Sequence, residues 1–143
     1  MKIIYSPKCL EYSEPGHPES PERVSLAYDF LKDKFDFLEP KPCSEQGILR
    51  VHTKELLEKV KSGNFYDLDT PALPDIFDYA KLSAGAAILA AGTALKQENT
   101  FSLMRPPGHH VGKDFLGGFC YFNNIAIAVK FVQERLGLGR VAI

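Results

Sequence analysis

Two adjacent histidines, His109 and His110, close the stretch Arg105-Pro106-Pro107-Gly108-His109-His110, and Gly117-Gly118-Phe119-Cys120-Tyr121-Phe122-Asn123-Asn124 follows closely. Neighbouring side chains point to opposite faces of a strand and splay apart on a helix. In a stiff Pro/Gly loop both imidazoles can point into one pocket, where two groups titrating near neutrality serve proton transfer. As a bare pair they fit a structural loop as well as a catalytic one. The flanking Pro-Pro-Gly, the glycine pair and the preceding strand favour catalysis. A zinc site needs three or more donors, and no carboxylate or cysteine stands at matching spacing around the pair.

The other polar candidates each carry a plain reading beside the chemical one. Gly117-Gly118-Phe119 reads as a tight turn, or as backbone brought close to a substrate with Phe119 walling an apolar channel. Asp69 lies in a polar loop, where an aspartate is usually solvated or caps a turn. His17 and Arg23 read as surface or helix-start residues. His52, beside Thr53, reads as the neighbour of a helix cap rather than as a catalyst.

The elements that must position these residues are legible in outline. Lys2-Ile3-Ile4-Tyr5 is a first strand stopped by Ser6-Pro7, and Glu14 to Pro21 is a proline-rich loop. Ser20 as N-cap and Pro21 at the first helical position open a helix to about Phe35. Phe37 to Glu39 forms a short strand, Ser44 or Glu45 opens a single turn, and Thr53 caps a helix ended by Gly63. The spacing of Ile76, Phe77, Ala80, Ala84, Ala87, Ile88, Ala91 and Leu95 predicts a helix from Pro74 or Asp75 to about Gln97. Thr100 to Met104 is a strand. Asn123 or Asn124 caps a helix with Ile125, Val129, Val132 and Leu136 facing inward and Gly137 closing it. Arg140 to Ile143 starts another strand. Strand, helix and strand in this order make a βαβ unit, hence an α/β fold with a mainly parallel sheet and right-handed crossovers. Function in such sheets sits beyond the carboxyl ends of the strands, which is where the histidine loop leaves.

The chain of 143 residues, 45% apolar and 24% charged, fits one soluble domain. A net charge of -1 gives no electrostatic reason to expect nucleic acid or an anionic membrane as partner. The longest apolar stretch, Gly85 to Leu95, is shorter than the roughly 18 residues of a membrane span. Cys9, Cys43 and Cys120 are scattered and form no Cys-x-x-Cys, which argues for reduced thiols and a cytoplasmic protein.

His17-Pro18-Glu19-Ser20-Pro21-Glu22-Arg23, Asp69-Thr70-Pro71, Arg105 to His110 and Gly118 to Asn123 occur in the order seen in the histone deacetylase family, which the whole chain resembles. The Arg-Pro-Pro-Gly form is similar to the class II and bacterial branch, with its deacetylase-like amidohydrolases and acetylpolyamine amidohydrolases. The resemblance implies the arginase/deacetylase α/β fold, a mainly parallel sheet flanked by helices, and zinc-dependent removal of acyl groups from amine nitrogens of lysine or small amines. It implies His109 and His110 as catalytic: His110 as general base and proton donor, His109 stabilising charge. It implies Gly118 and Phe119 as walls of the acyl-amine channel, Asp69 as a rim anchor for substrate, and Arg23 near the inner end of the pocket.

In the family the strand begun by Arg140 continues into an Asp-x-Asp-x-His-His segment with two zinc ligands. A later aspartate is the third ligand, and a later tyrosine polarises the scissile carbonyl. These residues and the aspartates that orient the histidine pair are not among the 143. Bound zinc brings the pKa of water from about 15.7 toward about 7. The expectation is therefore the N-terminal part, residues 1–143, of one incomplete deacetylase domain. It holds the tandem histidines, binds no zinc by itself, and is inactive alone, while the complete domain takes zinc and an acetylated lysine or acetylated polyamine. A homo-oligomer is expected. The alternative is a non-catalytic domain that associates with itself or a partner through an unfinished sheet edge at Val141, Ala142 and Ile143.

Overall fold

A computed structural model describes residues 1–96 and 99–143. Three short strands, β1 (Lys2–Ile4), β2 (Asp36–Leu38) and β3 (Thr100–Ser102), form a parallel sheet in the order β2-β1-β3. Ile3 pairs with Phe37 on one side and Phe101 on the other. The central position of β1 explains why Ile3 and Ile4 are both fully buried: a strand covered on both faces is apolar throughout. Ser6-Pro7 ends it and a 3-10 turn, Pro7–Leu10, follows. Parallel pairing demands crossovers, supplied between β1 and β2 by α1 (Glu22–Leu31) and between β2 and β3 by α2 (Glu45–Ile48), α3 (Lys54–Ser62) and α4 (Ile76–Ala94). Helix α5 (Asn124–Leu136) follows β3 and packs most extensively on α4.

Local capping chemistry sets most boundaries. Ser44 accepts from the Gly47 N–H at 3.1 Å to start α2, and Thr53 accepts from Leu56 N–H at 3.2 Å to start α3. Asn123 accepts from Ala126 N–H at 3.0 Å to start α5. Gly63 (φ 67°) and Gly137 (φ 72°) turn left-handed to end α3 and α5, a conformation glycine adopts without penalty. The small residues of α4 serve close packing: a Cβ at Gly85 would strike the Lys41 carbonyl oxygen, and Cys43 N–H donates to the Lys81 carbonyl at 2.8 Å. Two apolar clusters result. One joins Ile48, Leu57, Ile76, Ala84, Phe122 and Ile127 between the helices, and the other joins Ile3, Tyr5, Cys9, Val24 and Leu103 beneath α1. No helix among the described residues is long and apolar enough to cross a membrane.

The structure corrects four sequence expectations. Helix α1 begins after Pro21 without a Ser20 side-chain cap and stops at Leu31, because the chain must turn to lay Asp36–Leu38 beside β1. The long helix ends at Ala94 with Leu95 as its C-cap, short of the end expected near Gln97, which itself lies outside the described residues. Helix α5 buries Ile127, Ala128 and Val132, while Ile125 and Leu136 are exposed. Apolar residues surround α5 on several sides, so periodicity left its rotation undetermined. Residues 140–143 are exposed and pair with no strand of the sheet, and a strand exists only through its ladder.

One ion pair ties the segments ahead of the histidine loop together. Arg105, 2% exposed, clasps Glu19, 6% exposed, through Nε to Oε1 at 2.6 Å and Nη2 to Oε2 at 2.9 Å. Its remaining donors reach the carbonyls of Cys9 (2.6 Å) and Tyr12 (3.3 Å), and its guanidinium lies 4.1 Å from the Tyr12 ring centre. The fork geometry of arginine suits such bidentate pairing. Glu19→Gln leaves the guanidinium buried without a counter-charge, and urea unfolding should show a loss of about 3–5 kcal/mol. A variant as stable as the wild type would contradict the assignment.

Candidate active site

The chain leaving β3 is fixed before it reaches the histidines. The Pro106 carbonyl accepts from Ser83 Oγ at 2.7 Å and from Asn124 Nδ2 at 3.2 Å. At Gly108 a Cβ would lie 2.5 Å from the Phe122 carbonyl oxygen and 2.6 Å from Asn124, so only glycine lets the two loops approach this closely. Beyond it His109 and His110 emerge, both exposed, with ring centres 4.2 Å apart and planes inclined at 46°. Buried Val111 anchors the segment behind them, its carbonyl accepting from Asn123 Nδ2 at 2.9 Å.

The glycine loop lies directly against this pair. A Cβ at Gly118 would come within 2.6 Å of the His110 ring. Gly118 (φ 60°) and Phe119 (φ 67°) are both left-handed, and for phenylalanine that conformation is strained. Its restraint comes from the loop holding Asp69. Asp69 Oδ1 accepts from Gly118 N–H at 3.1 Å, Thr70 Oγ1 accepts from Phe119 N–H at 3.0 Å, and Tyr121 donates to the Pro71 carbonyl at 2.6 Å. His17 closes the ring of contacts. Nδ1 accepts from Glu19 N–H at 3.1 Å, Nε2 donates to the Asp69 carbonyl at 3.0 Å, and the imidazole stands edge-on to Phe119 at 4.8 Å.

His110, Gly118, Phe119, Asp69 and His17 thus form one continuous set of contacts beyond the carboxyl end of β3. Arg23 does not join it: it is exposed at the start of α1, and the deeply buried arginine is Arg105. The plain reading of Asp69 as a turn residue fits its hydrogen bonds, since its N–H donates to Asp67 and its carboxylate holds the Gly118 backbone. Sequence reasoning missed Thr70, and it read His52 as a bystander. No periodicity marks either, for each acts through long-range hydrogen bonds: Thr70 to Phe119 N–H, and His52 to the Gly112 carbonyl and Asn123 N–H.

Electrostatics follow from these partners. The Asp69 carboxyl is held below its ordinary value by hydrogen bonding with Asp67, then by Gly118 N–H, Thr70 and the nearby His17, so it stays ionised at neutral pH. Burial pushes the Cys120 thiol up, opposed in part by the backbone N–H groups of His110 and His109; the thiol donates to the Gly118 carbonyl at 3.1 Å. Among the described residues no three His, Cys, Asp or Glu side chains are grouped to hold a metal ion. The arrangement sets two exposed imidazoles beside a glycine loop that carries a phenyl ring and is held by a carboxylate. A separate cavity of about 450 Å³, lined by Cys43, Arg50, Ile88, Ile127 and Phe131, contains none of these residues.

Comparison with known proteins gives a consistent set of relatives. The sequence model described as histone deacetylase domain matches residues 17–143. A probable deacetylase of Archaeoglobus fulgidus is 39% identical, over 99% of this chain and 43% of its own length. The histone deacetylase-like amidohydrolase of Pseudomonas aeruginosa is 39% identical over 90% of this chain and 37% of its own. The polyamine deacetylase HDAC10 of Danio rerio is 34% identical over 87% of this chain and 21% of its own. The crystal structure of the HDA15 HD domain superposes with a TM-score of 0.85 at 27% identity, covering 92% of this chain and 43% of that one. The chain spans less than half the length of each of these proteins.

Burial holds the His52 imidazole below its ordinary value of 6.5, with hydrogen bonds to Gly112 and Lys113 opposing in part. The unfolded chain therefore binds this proton first on acidification. The contribution of His52 is fully present above pH 6.5 and is lost as pH falls through the lowered folded value. Urea midpoints should fall more steeply below pH 6.5 in the wild type than in His52→Gln. Parallel pH profiles for the two proteins would refute this.

Proposed function

The chain belongs to the histone deacetylase family, and from that premise we propose that it carries the proton-transfer and substrate-channel half of a site hydrolysing acylated amines. The observation carrying this reading is the contact of the His110 ring with Gly118, beside His109 and next to a wall made by Phe119. His110 takes a proton from the attacking water and returns it to the leaving amine nitrogen, and His109 beside it stabilises the charge that develops. Phe119 and Gly118 line the path of the substrate's alkyl chain. The ionised Asp69 accepts an N–H of the substrate at the rim while it holds the Gly118 backbone. Zinc, on which the family generally depends, supplies carbonyl polarisation and an activated water. The described residues do not compose its site, so their part is proton transfer and positioning. Acetylated lysine and acetylated polyamine are the substrate classes this reading takes. Three free and buried cysteines support a reducing, cytoplasmic setting.

The chain alone should show no hydrolysis. Joined to the remaining residues of the Archaeoglobus fulgidus relative and supplied with zinc, it should deacetylate an acetyl-lysine peptide or an acetylated polyamine. His110→Ala in that chimera should lower kcat/KM by about 10²–10⁴-fold, the usual worth of a general acid-base group. An undiminished rate in a folded variant would end the assignment.

Exposed apolar side chains favour a second property, self-association. Phe101 on the edge strand β3 is 50% exposed, and Leu136, Val141 and Ile143 lie open to solvent. Identical patches on two copies pair most readily by symmetry. Light scattering at micromolar concentration should give a mass above that of the monomer, and a stable monomer would exclude it.

A further inference from the structure

His52 stands outside the ring of site residues, yet both of its nitrogens act on them. It is 3% exposed. Nδ1 lies 2.8 Å from the Gly112 carbonyl oxygen, and Nε2 lies 2.9 Å from the Asn123 N–H. A carbonyl only accepts and a backbone N–H only donates. The two bonds together therefore demand a neutral imidazole with its proton on Nδ1. Gly112 follows His110 by two residues, and Asn123 follows Phe119 by four and caps α5. One ring thus spans the segment behind the histidine pair and the segment behind the channel wall.

We propose that His52 is a positioning residue of this site, fixing the distance between the His109–His110 loop and the Gly118–Phe119 loop through its neutral Nδ1–H form. The role in hydrolysis rests on the function proposed above; the geometric role does not. Two further observations support it. The ring is seated 5.7 Å from Phe122 in the core between the helices, so its own orientation is set by packing. The adjacent Thr53 N–H donates to the Lys113 carbonyl at 3.0 Å while the Thr53 side chain caps α3. His52 and Thr53 therefore anchor the histidine loop to the start of a rigid helix. A bond of either loop to a rigid element is what keeps reacting groups aligned, and a displacement of about 1 Å costs on the order of 10² in rate.

The test uses the 143-residue chain labelled with ¹⁵N. Two-bond ¹H–¹⁵N spectra should show His52 protonated on Nδ1, and a nuclear Overhauser contact should join the His110 ring to the Gly118 α-protons. His52→Phe keeps a ring against Phe122 and removes both hydrogen bonds. It should lose the His110–Gly118 contact and keep contacts of the distant Tyr5–Tyr28 stack. His52→Asn restores a donor toward Gly112 and His52→Gln an acceptor toward Asn123, so each should recover part of the signal. An Nε2–H tautomer in the wild type, or an unchanged His110–Gly118 contact in folded His52→Phe, overturns the proposal. If His52→Phe does not fold, the wild-type tautomer and the Asn and Gln variants decide. In the chimera, His52→Phe should lower kcat about 10²-fold with little change in KM, and His52→Gln should lower it less. A chimera inactive in every form, with the contacts behaving as described, would instead refute the hydrolytic reading and leave the positioning role intact.

Discussion

The Arg105–Glu19 ion pair is the interaction on which the site depends. A guanidinium taken almost wholly out of water is tolerable only where every donor finds an acceptor, and Arg105 finds them on Glu19 and on the carbonyls of Cys9 and Tyr12. Those partners belong to the 3-10 turn after β1 and to the loop before α1. One side chain therefore fixes both segments to the chain that leaves β3. Glu19 receives a second duty from its backbone, whose N–H orients His17. The pair at the base and the imidazole at the rim are thus two ends of one polar scaffold.

That scaffold holds a backbone that would not hold itself. Phe119 sits in a left-handed conformation, which costs a bulky residue on the order of 1–3 kcal/mol and persists only where surroundings over-determine it. Thr70 and Asp69 take the N–H groups of Phe119 and Gly118, Tyr121 secures Pro71, and His17 packs against the phenyl ring. This backbone sets the Phe119 ring edge-on against His17, one residue after the Gly118 that abuts the His110 ring. Asp69 clamps this loop through its carboxylate, and in the proposed function the same carboxylate is the rim charge.

Much of the fold was legible because its determinants are local. Thr53 and Gly63, Ser44, and Asn123 and Gly137 delimit helices through hydrogen bonds reaching three residues and through backbone angles of a single residue. The order of motifs around Arg105 to His110 and Gly118 to Asn123 identified the family. The pair His109–His110 and the glycine loop stood out from composition and position, and the structure brings the His110 ring against Gly118.

Tertiary structure alone decided the rest, for one physical reason: a residue's partner can lie far away in sequence. The face that α5 buries depends on how α4 packs against it, since apolar residues occupy more than one side of the helix. Which arginine is buried depends on where Glu19 lies, so Arg105 took the interior and Arg23 remained at the surface. Residues 140–143 have strand character but no ladder in this sheet. His52 looked like the neighbour of a cap until the fold brought Gly112 and Asn123 to opposite edges of its ring. Sequence determined which local structures the chain can form and what chemistry it carries; the long-range hydrogen bonds and packing of the folded chain determined which side chains meet.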